Sequence, residues 1–372
     1  MTLDYLNRLT YIKLLLSVEG IGPLKIFSII SKVKNFENVF SSNKSNLKNV
    51  EGINDLLANR ILSVQKDFDS MKAKVEYEIK ILQSHKARII SFWDEDYPEL
   101  LKKIYFPPIL IYLIGRIKEF ENTIAIVGTR NPSNYGKLQA ERFSFELAKS
   151  GITIVSGLAR GIDSIAHQAA LKANGNTIAI IGSGLDVIYP PENKKLFNEI
   201  SESGLIISEY PLGTKPDAQN FPRRNRIISG ISKGTLIIET QMNGGAMQTA
   251  AYALDQNREV FALPGNANSK QSDGPNSLIQ RSEAKLVINP SDILSELNLL
   301  NNEKNVCSNK TIHSDLNIFE DKIYNQLNYE PIHIDDLASQ MNMAISDCLV
   351  NLLTLEFKGL VRQLPGKMFI KN

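Results

Sequence analysis

The chain has 372 residues, of which 43% are hydrophobic, 22% charged and 8% aromatic, as expected for a globular protein of two or three domains. Its 42 Lys and Arg against 40 Asp and Glu leave a net charge of +2, which excludes a histone-like basic protein and a long acidic tail. No apolar run reaches the roughly 18 residues of a membrane helix, and the start lacks the features of a signal peptide. The two cysteines, Cys307 and Cys348, are too few for a disulfide framework or a four-ligand zinc site. We therefore expect a cytoplasmic protein that contacts no membrane.

The first predicted module covers residues 1–69 and contains a short internal repeat. Val18-Glu19-Gly20-Ile21-Gly22 recurs as Val50-Glu51-Gly52-Ile53-Asn54, each time between two helical stretches. This is the helix-hairpin-helix pattern, in which glycines permit a tight turn whose backbone N–H groups can approach a phosphate. The second copy has Asn54 in place of the second glycine. The pattern leaves open DNA contact, a plain glycine-capped turn, and a packing or protein-interaction role.

Residues 70–118 are predicted to form a connector, and the central module follows over residues 119–297. Six short apolar runs in this module are bounded by Gly, Ser or Pro and separated mostly by helical patterns. Short apolar strands that alternate with helices predict a parallel sheet covered on both faces, which is an α/β Rossmann-like core. The predicted strands are Thr123–Val127, Thr153–Val155, Thr177–Ile181, Leu205–Ser208, Thr235–Ile238 and Glu259–Ala262.

The sequence loses its apolar periodicity over residues 298–314, which indicates a linker. The last module, residues 315–372, has two predicted helices, Ile334–Gln340 and Ser346–Phe357, followed by a hairpin with Pro-Gly at its tip. This order predicts a winged helix, a module that usually binds duplex DNA. Residues 296–372 carry 7 basic and 10 acidic side chains, a net charge of −3, which favours a protein-interaction or regulatory role instead.

The first central strand runs into Gly128-Thr129-Arg130, and a helix is predicted to begin near Tyr135. A strand, a glycine turn and a helix N-terminus form an anion site, to which Arg130 adds a bidentate phosphate donor. The spacing from Gly128 to Gly136 matches neither G-x-G-x-x-G nor G-x-x-x-x-G-K-[ST], so both nucleotide fingerprints are missing. The alternative is an ordinary strand-to-helix turn with an exposed arginine.

A second glycine turn, Ser156–Gly161, contains Arg160 and is followed by Asp163 and His167. An Asp–His pair permits a catalytic interpretation, but no serine or cysteine nucleophile motif accompanies it. Such a pair more often braces a turn, which is the interpretation we favour.

The segment Phe221–Arg226 places three arginines and an asparagine at a predicted loop-to-helix junction. In an open α/β sheet, ligands bind beyond the carboxyl ends of the strands, where this junction is expected to lie. Several such turns on one edge, with Phe221 and Tyr210 near for stacking, suit an extended phosphate chain with unpaired bases. They suit a single mononucleotide less well. A further candidate turn, Glu239–Ala250, again places glycine at the start of a predicted helix.

Taken in order, these motifs resemble the DprA/Smf family, the DNA-processing proteins of bacterial natural transformation, over about residues 87–292. Each motif alone is weak, whereas six in the same order are highly specific. The flanking modules resemble the family's N-terminal helical domain, of helix-hairpin-helix or SAM-like type, and its C-terminal winged helix. The motifs are Ala125–Arg130, Ser156–Asp163 with Ala166-His167, Gly182–Asp186 with Tyr189-Pro190, Ser208–Pro211, Phe221–Ile228 and Leu263–Gly265.

The resemblance implies a protein that is not an enzyme and needs no metal or cofactor. Members bind single-stranded DNA in a Rossmann-like pocket, form homodimers, and help load RecA recombinase onto incoming DNA. Arg130 would hold a phosphate, Phe221 would stack on a base, and Lys194 would substitute for a basic contact that some relatives have at the position of Pro191. The implied DNA contacts are Gly128, Thr129, Arg130, Arg160, Lys194, Phe221, Arg223, Arg224, Asn225 and Arg226. The implied dimer or RecA contacts are Leu254, Leu278 and Ile279.

The chain departs from the family's usual sequence in two segments, Asn243–Ala250 and Arg281–Ala284. We expect both to lie away from the arginine pocket and to affect dimer geometry. The competing hypothesis is a phosphoribohydrolase of related fold, which needs Pro-Gly-Gly-x-Gly-Thr-x-x-Glu, whereas Pro264-Gly265 continues into Asn266-Ala267. A ligand-sensing transcription regulator is disfavoured by the acidic last module, and a nuclease by the lack of clustered acidic residues.

Overall fold

The computed structural model describes residues 3–116, 121–299, 316–328 and 331–371. Its N-terminal part is helical because apolar residues recur every three or four positions; on the first helix, Leu9, Ile12 and Leu15 are fully buried. The last of these helices packs on the first and continues past the predicted module boundary at residue 69. The helices are α1 (Leu3–Ser17), α2 (Pro23–Val33), α3 (Phe36–Ser41), α4 (Lys44–Lys48), α5 (Asp55–Ser63) and α6 (Phe68–Ser84), with a 3₁₀ turn at Val64–Asp67.

The repeated sequence forms the same turn twice. The N–H of Ile21 donates to the carbonyl of Val18 at 3.0 Å, and the N–H of Ile53 donates to that of Val50 at 3.1 Å. Gly20 and Gly52 adopt φ values of 87° and 77°, which side chains disfavour. Asn54 has an extended backbone and caps α5 through its side chain, so this position has no need of glycine.

A sheet of nine strands lies at the centre of the described residues. The six strands predicted from apolar runs are confirmed, and they form a parallel core with one further short strand. Two strands from the predicted connector add an antiparallel edge. The order is β1-β2-β6-β5-β4-β3-β7-β8-β9. The strands are β1 (Ala87–Ser91), β2 (Leu110–Gly115), β3 (Thr123–Gly128), β4 (Thr153–Ser156), β5 (Thr177–Ile181), β6 (Leu205–Ser208), β7 (Gly234–Ile238), β8 (Glu259–Ala262) and β9 (Lys285–Leu286).

Helices cover both faces of this sheet, as the fully apolar strands require. One face carries α7 (Glu99–Lys102), α11 (Asn220–Gly230), α12 (Gly245–Asp255) and α13 (Asp273–Gln280). The other carries α8 (Asn134–Lys149), α9 (Ile162–Lys172), α10 (Lys194–Ser203) and α14 (Pro290–Glu296), with a 3₁₀ turn at Pro191–Asn193. The N-terminal helices share a core with β1 and β2 and with α10.

The order of the strands positions the site. From β3 the chain adds β4, β5 and β6 on one side, and then β7 and β8 on the other. The connections therefore diverge between β3 and β7, and such a switch point opens a crevice beyond the carboxyl ends of the two strands.

The winged helix is confirmed in the described residues of the last module. It contains α15 (Ile318–Gln326), β10 (Ile332–His333), α16 (Ile334–Met341), α17 (Ile345–Phe357), β11 (Val361–Leu364) and β12 (Met368–Lys371), with the strands in the order β10-β12-β11. The predicted linker lies outside the described residues apart from Asn298 and Leu299. Where the chain is described, no helix combines the length and apolarity needed to cross a bilayer.

Candidate nucleic-acid interface

A cavity of about 710 Å³ opens at the switch point. Most of its lining comes from the turn after β3, the loop after β7 with the start of α12, and the first turns of α11. The other lining residues are Ala159, Asp163, Tyr189, Pro216, Ala218 and Gln271. The structure thus brings together Gly128, Thr129, Arg130, Phe221, Arg224 and Asn225 from the predicted site. Arg160, Lys194, Arg223 and Arg226 do not line it.

The turn after β3 presents Arg130 to this cavity. A Cβ on Gly128 would overlap the carbonyl oxygen of Ile238, so the close approach of β3 to the end of β7 requires glycine. The N–H of Thr129 donates to the carbonyl of Glu239 at 2.6 Å, and its carbonyl accepts from the N–H of Ile162 at 3.2 Å. Arg130 itself is exposed, and no described acidic side chain pairs with it. The turn therefore holds an available guanidinium on a fixed backbone.

The N-terminus of α8 is not the open anion site that the sequence suggested. Ser133 is the N-cap, and its hydroxyl accepts from the N–H of Gly136 at 3.1 Å. The carboxylate of Glu239 accepts from the N–H of Ser133 at 2.8 Å and also from its hydroxyl. Because an internal carboxylate already fills this helix end, an anion bound to the turn would have to rely on Arg130.

The three arginines of α11 have three different environments. Arg224 is 5% exposed and donates to the carbonyl of Gly157 at 2.5 Å and to that of Ile180. Arg226 donates to both carboxylate oxygens of Glu209, at 2.6 and 2.7 Å, away from the cavity. Arg223 is exposed outside the cavity lining. The predicted basic pocket therefore has fewer guanidinium groups available to a ligand, because acceptors of the protein already bind two of the three arginines.

Arg224 faces a buried polar cluster below the cavity. Asp163 accepts the N–H groups of Gly157 at 3.0 Å and Ala159 at 3.4 Å, and so braces that turn. Burial raises the pKa of Asp163, although Arg224 and these donors oppose the shift. Burial lowers the pKa of Arg224 to about 10, so Arg224 stays cationic at neutral pH.

His167 contacts the hydroxyl of Thr177 at 2.6 Å and does not contact Asp163. The pKa of His167 is lowered to about 3, first by burial and then by Arg224. This arrangement supports a bracing role.

An aromatic side chain completes one wall of the cavity. Phe221 is half-buried, lines the cavity, and packs on Tyr189 with a centroid distance of 5.5 Å and an interplanar angle of 42°. The sequence predicted Phe221 for stacking. The sequence also suggested Tyr210 as a stacking side chain. In the structure, the aromatic side chain that packs on the Phe221 ring is Tyr189.

The loop after β7 lies on the cavity, where its glycine-rich helix start had suggested a candidate turn. Segment Asn243–Ala250, expected to lie away from the pocket, contributes Asn243, Gln248 and Thr249 to its lining. That expectation is corrected because β7 pairs directly with β3, so the two loops form opposite rims. The strand order was the missing signal. Amide side chains are frequent on these rims, namely Asn131, Asn225, Gln241, Asn243, Gln248 and Gln271.

Two family models match this chain. The family model described as DNA recombination-mediator protein A matches residues 88–298, and the model described as DprA winged helix domain matches residues 314–367. The chain belongs to the DprA/Smf family of DNA recombination mediators.

Named relatives extend this likeness over nearly the whole chain. Protein Smf of Synechocystis is 34% identical over 95% of this chain and 96% of its own length. The solved DNA processing protein A of Streptococcus pneumoniae superposes with a TM-score of 0.66 at 33% identity, covering 77% of this chain and 97% of that one. That of Helicobacter pylori, described for its single-stranded DNA binding mode, gives a TM-score of 0.53 at 33% identity, covering 57% and 96%.

The remaining residues that the DprA/Smf resemblance singled out lie outside the cavity lining. Arg160 pairs with Glu192, and Lys194 is exposed at the start of α10. Leu254 is 40% exposed on α12, and Ile279 is half-buried. Leu278 is 2% exposed because it packs into the core below α13, so its assignment to a partner surface is corrected.

In the flanking modules of this DprA/Smf chain, the two lysines near the hairpin turns donate to backbone carbonyls, while exposed lysines such as Lys74 and Lys80 lie on α6. Near the hairpins, Lys25 donates to the carbonyl of Gly20 at 2.8 Å and Lys32 donates to that of Asn49 at 3.1 Å. The helix α17 contains no Lys or Arg, and Phe357 near its end is 90% exposed. The switch-point cavity combines an available arginine, an aromatic wall and amide side chains, and we take it as the candidate nucleic-acid site.

Proposed function

We propose that this chain is a single-stranded DNA-binding recombination mediator, which protects incoming DNA and loads RecA recombinase onto it during natural transformation. The observation that carries the proposal is the cavity itself: an available Arg130 on one rim, an aromatic wall at Phe221, and neutral amides around them. Unpaired DNA presents one charge per nucleotide together with open base faces and edges, and such a site matches all three.

Each group has a role in this proposal. Arg130 holds one phosphate, and Gly128 and Thr129 let the strand approach the backbone. Phe221 stacks on a base, and Asn225 with neighbouring amides contacts base edges. Arg224 shapes the cavity floor because its hydrogen bonds are directed to carbonyls of the protein.

Outside the cavity, the exposed cations Lys194 and Arg223 extend the proposed path of the strand. Exposed Arg160 joins this path if a phosphate replaces its partner Glu192. The turn that bears Arg160 and the helix that begins at Lys194 are tied together. The amide of Asn193 donates to the carbonyl of Leu158 at 2.8 Å. We assign Arg226 to support of α11, since Glu209 already pairs with it.

The proposed protein partners are RecA and a second copy of this chain. Exposed Leu254 on α12 and half-buried Ile279 on α13 mark one surface of the sheet's helical layer that suits such contacts.

Fluorescence anisotropy with labelled oligothymidylate, its duplex form and a salt series tests this function. We expect clear preference for the single strand, with each phosphate contact adding about −0.7 to the log–log salt slope. A preparation that binds should then accelerate RecA assembly on the same strand. Binding confined to duplex, or no binding to either form, would contradict the proposal.

A further inference from the structure

A buried carboxylate lies directly behind the rim that carries Arg130. Glu239 follows β7, is 5% exposed, and has a left-handed backbone with φ of 45°. Such a conformation is unfavourable for a residue with a side chain and persists where the surroundings fix it. A negative charge beside a proposed phosphate site also opposes anion binding. The unfavourable backbone conformation and the unfavourable charge together indicate that the side chain of Glu239 has a specific function at this position.

Glu239 holds the beginning of the arginine turn through its backbone. Its carbonyl accepts the N–H of Thr129, the residue immediately before Arg130, at 2.6 Å. In this left-handed conformation, the carbonyl of Glu239 contacts the turn after β3 and its side chain reaches the N-terminus of α8.

Glu239 holds the end of the same turn through its side chain. One carboxylate oxygen accepts the N–H of Ser133 at 2.8 Å, and the other accepts the hydroxyl of Ser133. A Cβ at Gly136 would overlap this carboxylate, so glycine there provides the space that the carboxylate occupies. The single residue Glu239 therefore binds both ends of the loop 129–133.

We propose that Glu239 is a positioning residue for Arg130: it fixes the loop 129–133 so that the guanidinium points into the cavity, and it thereby sets the affinity for single-stranded DNA. This inference rests on the proposed function. Pre-ordering a loop lowers the entropy lost when its arginine binds, so the benefit appears in DNA affinity and acts through Arg130.

A double-mutant cycle separates this role from general structural support. Affinity for labelled oligothymidylate is measured for the full chain, for Glu239→Ala, for Arg130→Ala and for the double variant. We expect Glu239→Ala to weaken binding about 10-fold in the wild-type background and less than about 2-fold once Arg130 is gone, because coupled residues are not additive. Glu146→Ala, which removes an exposed carboxylate of α8, is the matched control and should leave affinity unchanged.

The other possible results of the double-mutant cycle have different meanings. Equal weakening in both backgrounds would overturn the inference, since Glu239 would then act independently of Arg130. Tighter binding by Glu239→Gln would overturn it as well, because the carboxylate would merely repel phosphate. If Glu239→Ala does not fold, Ser133→Ala removes one of the contacts and must show the same dependence on Arg130. A wild-type chain that binds no single strand would instead refute the proposed function.

Discussion

The turn after β3 and the first turns of α11 place arginines beside one cavity, yet the two regions use them differently. Arg130 is exposed and pairs with no described carboxylate, so its donors are available to a ligand. Arg224 is buried against two carbonyls, and Arg226 is held by Glu209. The contrast teaches that a cluster of arginines in sequence is not a cluster of phosphate contacts. The acceptors that the fold places around each guanidinium decide its availability.

The largest effect that we expect from the contrast between buried and exposed arginines is on the free energy of unfolding. Arg224→Met leaves Asp163 and the carbonyls of Gly157 and Ile180 buried without their cation. We expect the free energy of unfolding in urea to fall by about 3–5 kcal/mol. Arg223→Met, at the exposed neighbouring position, should change it by less than about 0.5 kcal/mol. Similar values for the two variants would show that Arg224 is not structural.

A second effect concerns pH. The pKa of buried His167 is lowered to about 3, whereas an unfolded histidine titrates near 6.5, so the unfolded state binds a proton first as the pH falls. The contribution to stability is present above about pH 6.5 and is lost as the pH falls from there toward 3. Between pH 7 and 5, wild type should lose about 2 kcal/mol more than His167→Asn. Parallel pH profiles in chemical denaturation would contradict the buried, neutral assignment.

A smaller effect on stability is expected at the Arg226–Glu209 pair, which is less exposed than Arg130 and less buried than Arg224. Its side chains are 15% and 22% exposed, so water only partly screens the pair. Arg226→Ala and Glu209→Ala should each reduce the free energy of unfolding by about 1 kcal/mol, and the double variant should lose little more than either single variant. Additive losses would mean that the pair is not coupled.

The sequence was sufficient for the parts of the fold that local pattern controls. Apolar runs located the six central strands, and two helices with a hairpin located the winged helix. The resemblance of ordered motifs then pointed to the family. Residues of the cavity such as Gly128, Arg130 and Phe221 were found because they adjoin predicted strand ends or helix starts.

What the sequence could not supply was pairing over distance. Glu239 fills the N-terminus of α8 from 106 positions away, and no local pattern marks that contact. The pairing of β3 with β7 brings the segment at Gln248 to the cavity, and the strand order decides that it faces the turn of Arg130. Leu278 and Ile279 are neighbours in sequence, yet the orientation of α13 buries the first almost completely.

We propose that Arg130, rather than Arg224 or Arg226 of α11, is the arginine that holds DNA in the cavity. The most direct measurement compares Arg130→Ala with Arg226→Ala in anisotropy titrations of oligothymidylate, since both variants lose one positive charge. Arg130→Ala should lose about 1–3 kcal/mol of binding free energy, the range for a charge-assisted contact, and its salt slope should become shallower by about 0.7. Arg226→Ala should keep wild-type affinity and slope. Equal losses in the two variants, or a loss confined to Arg226→Ala, would contradict the account.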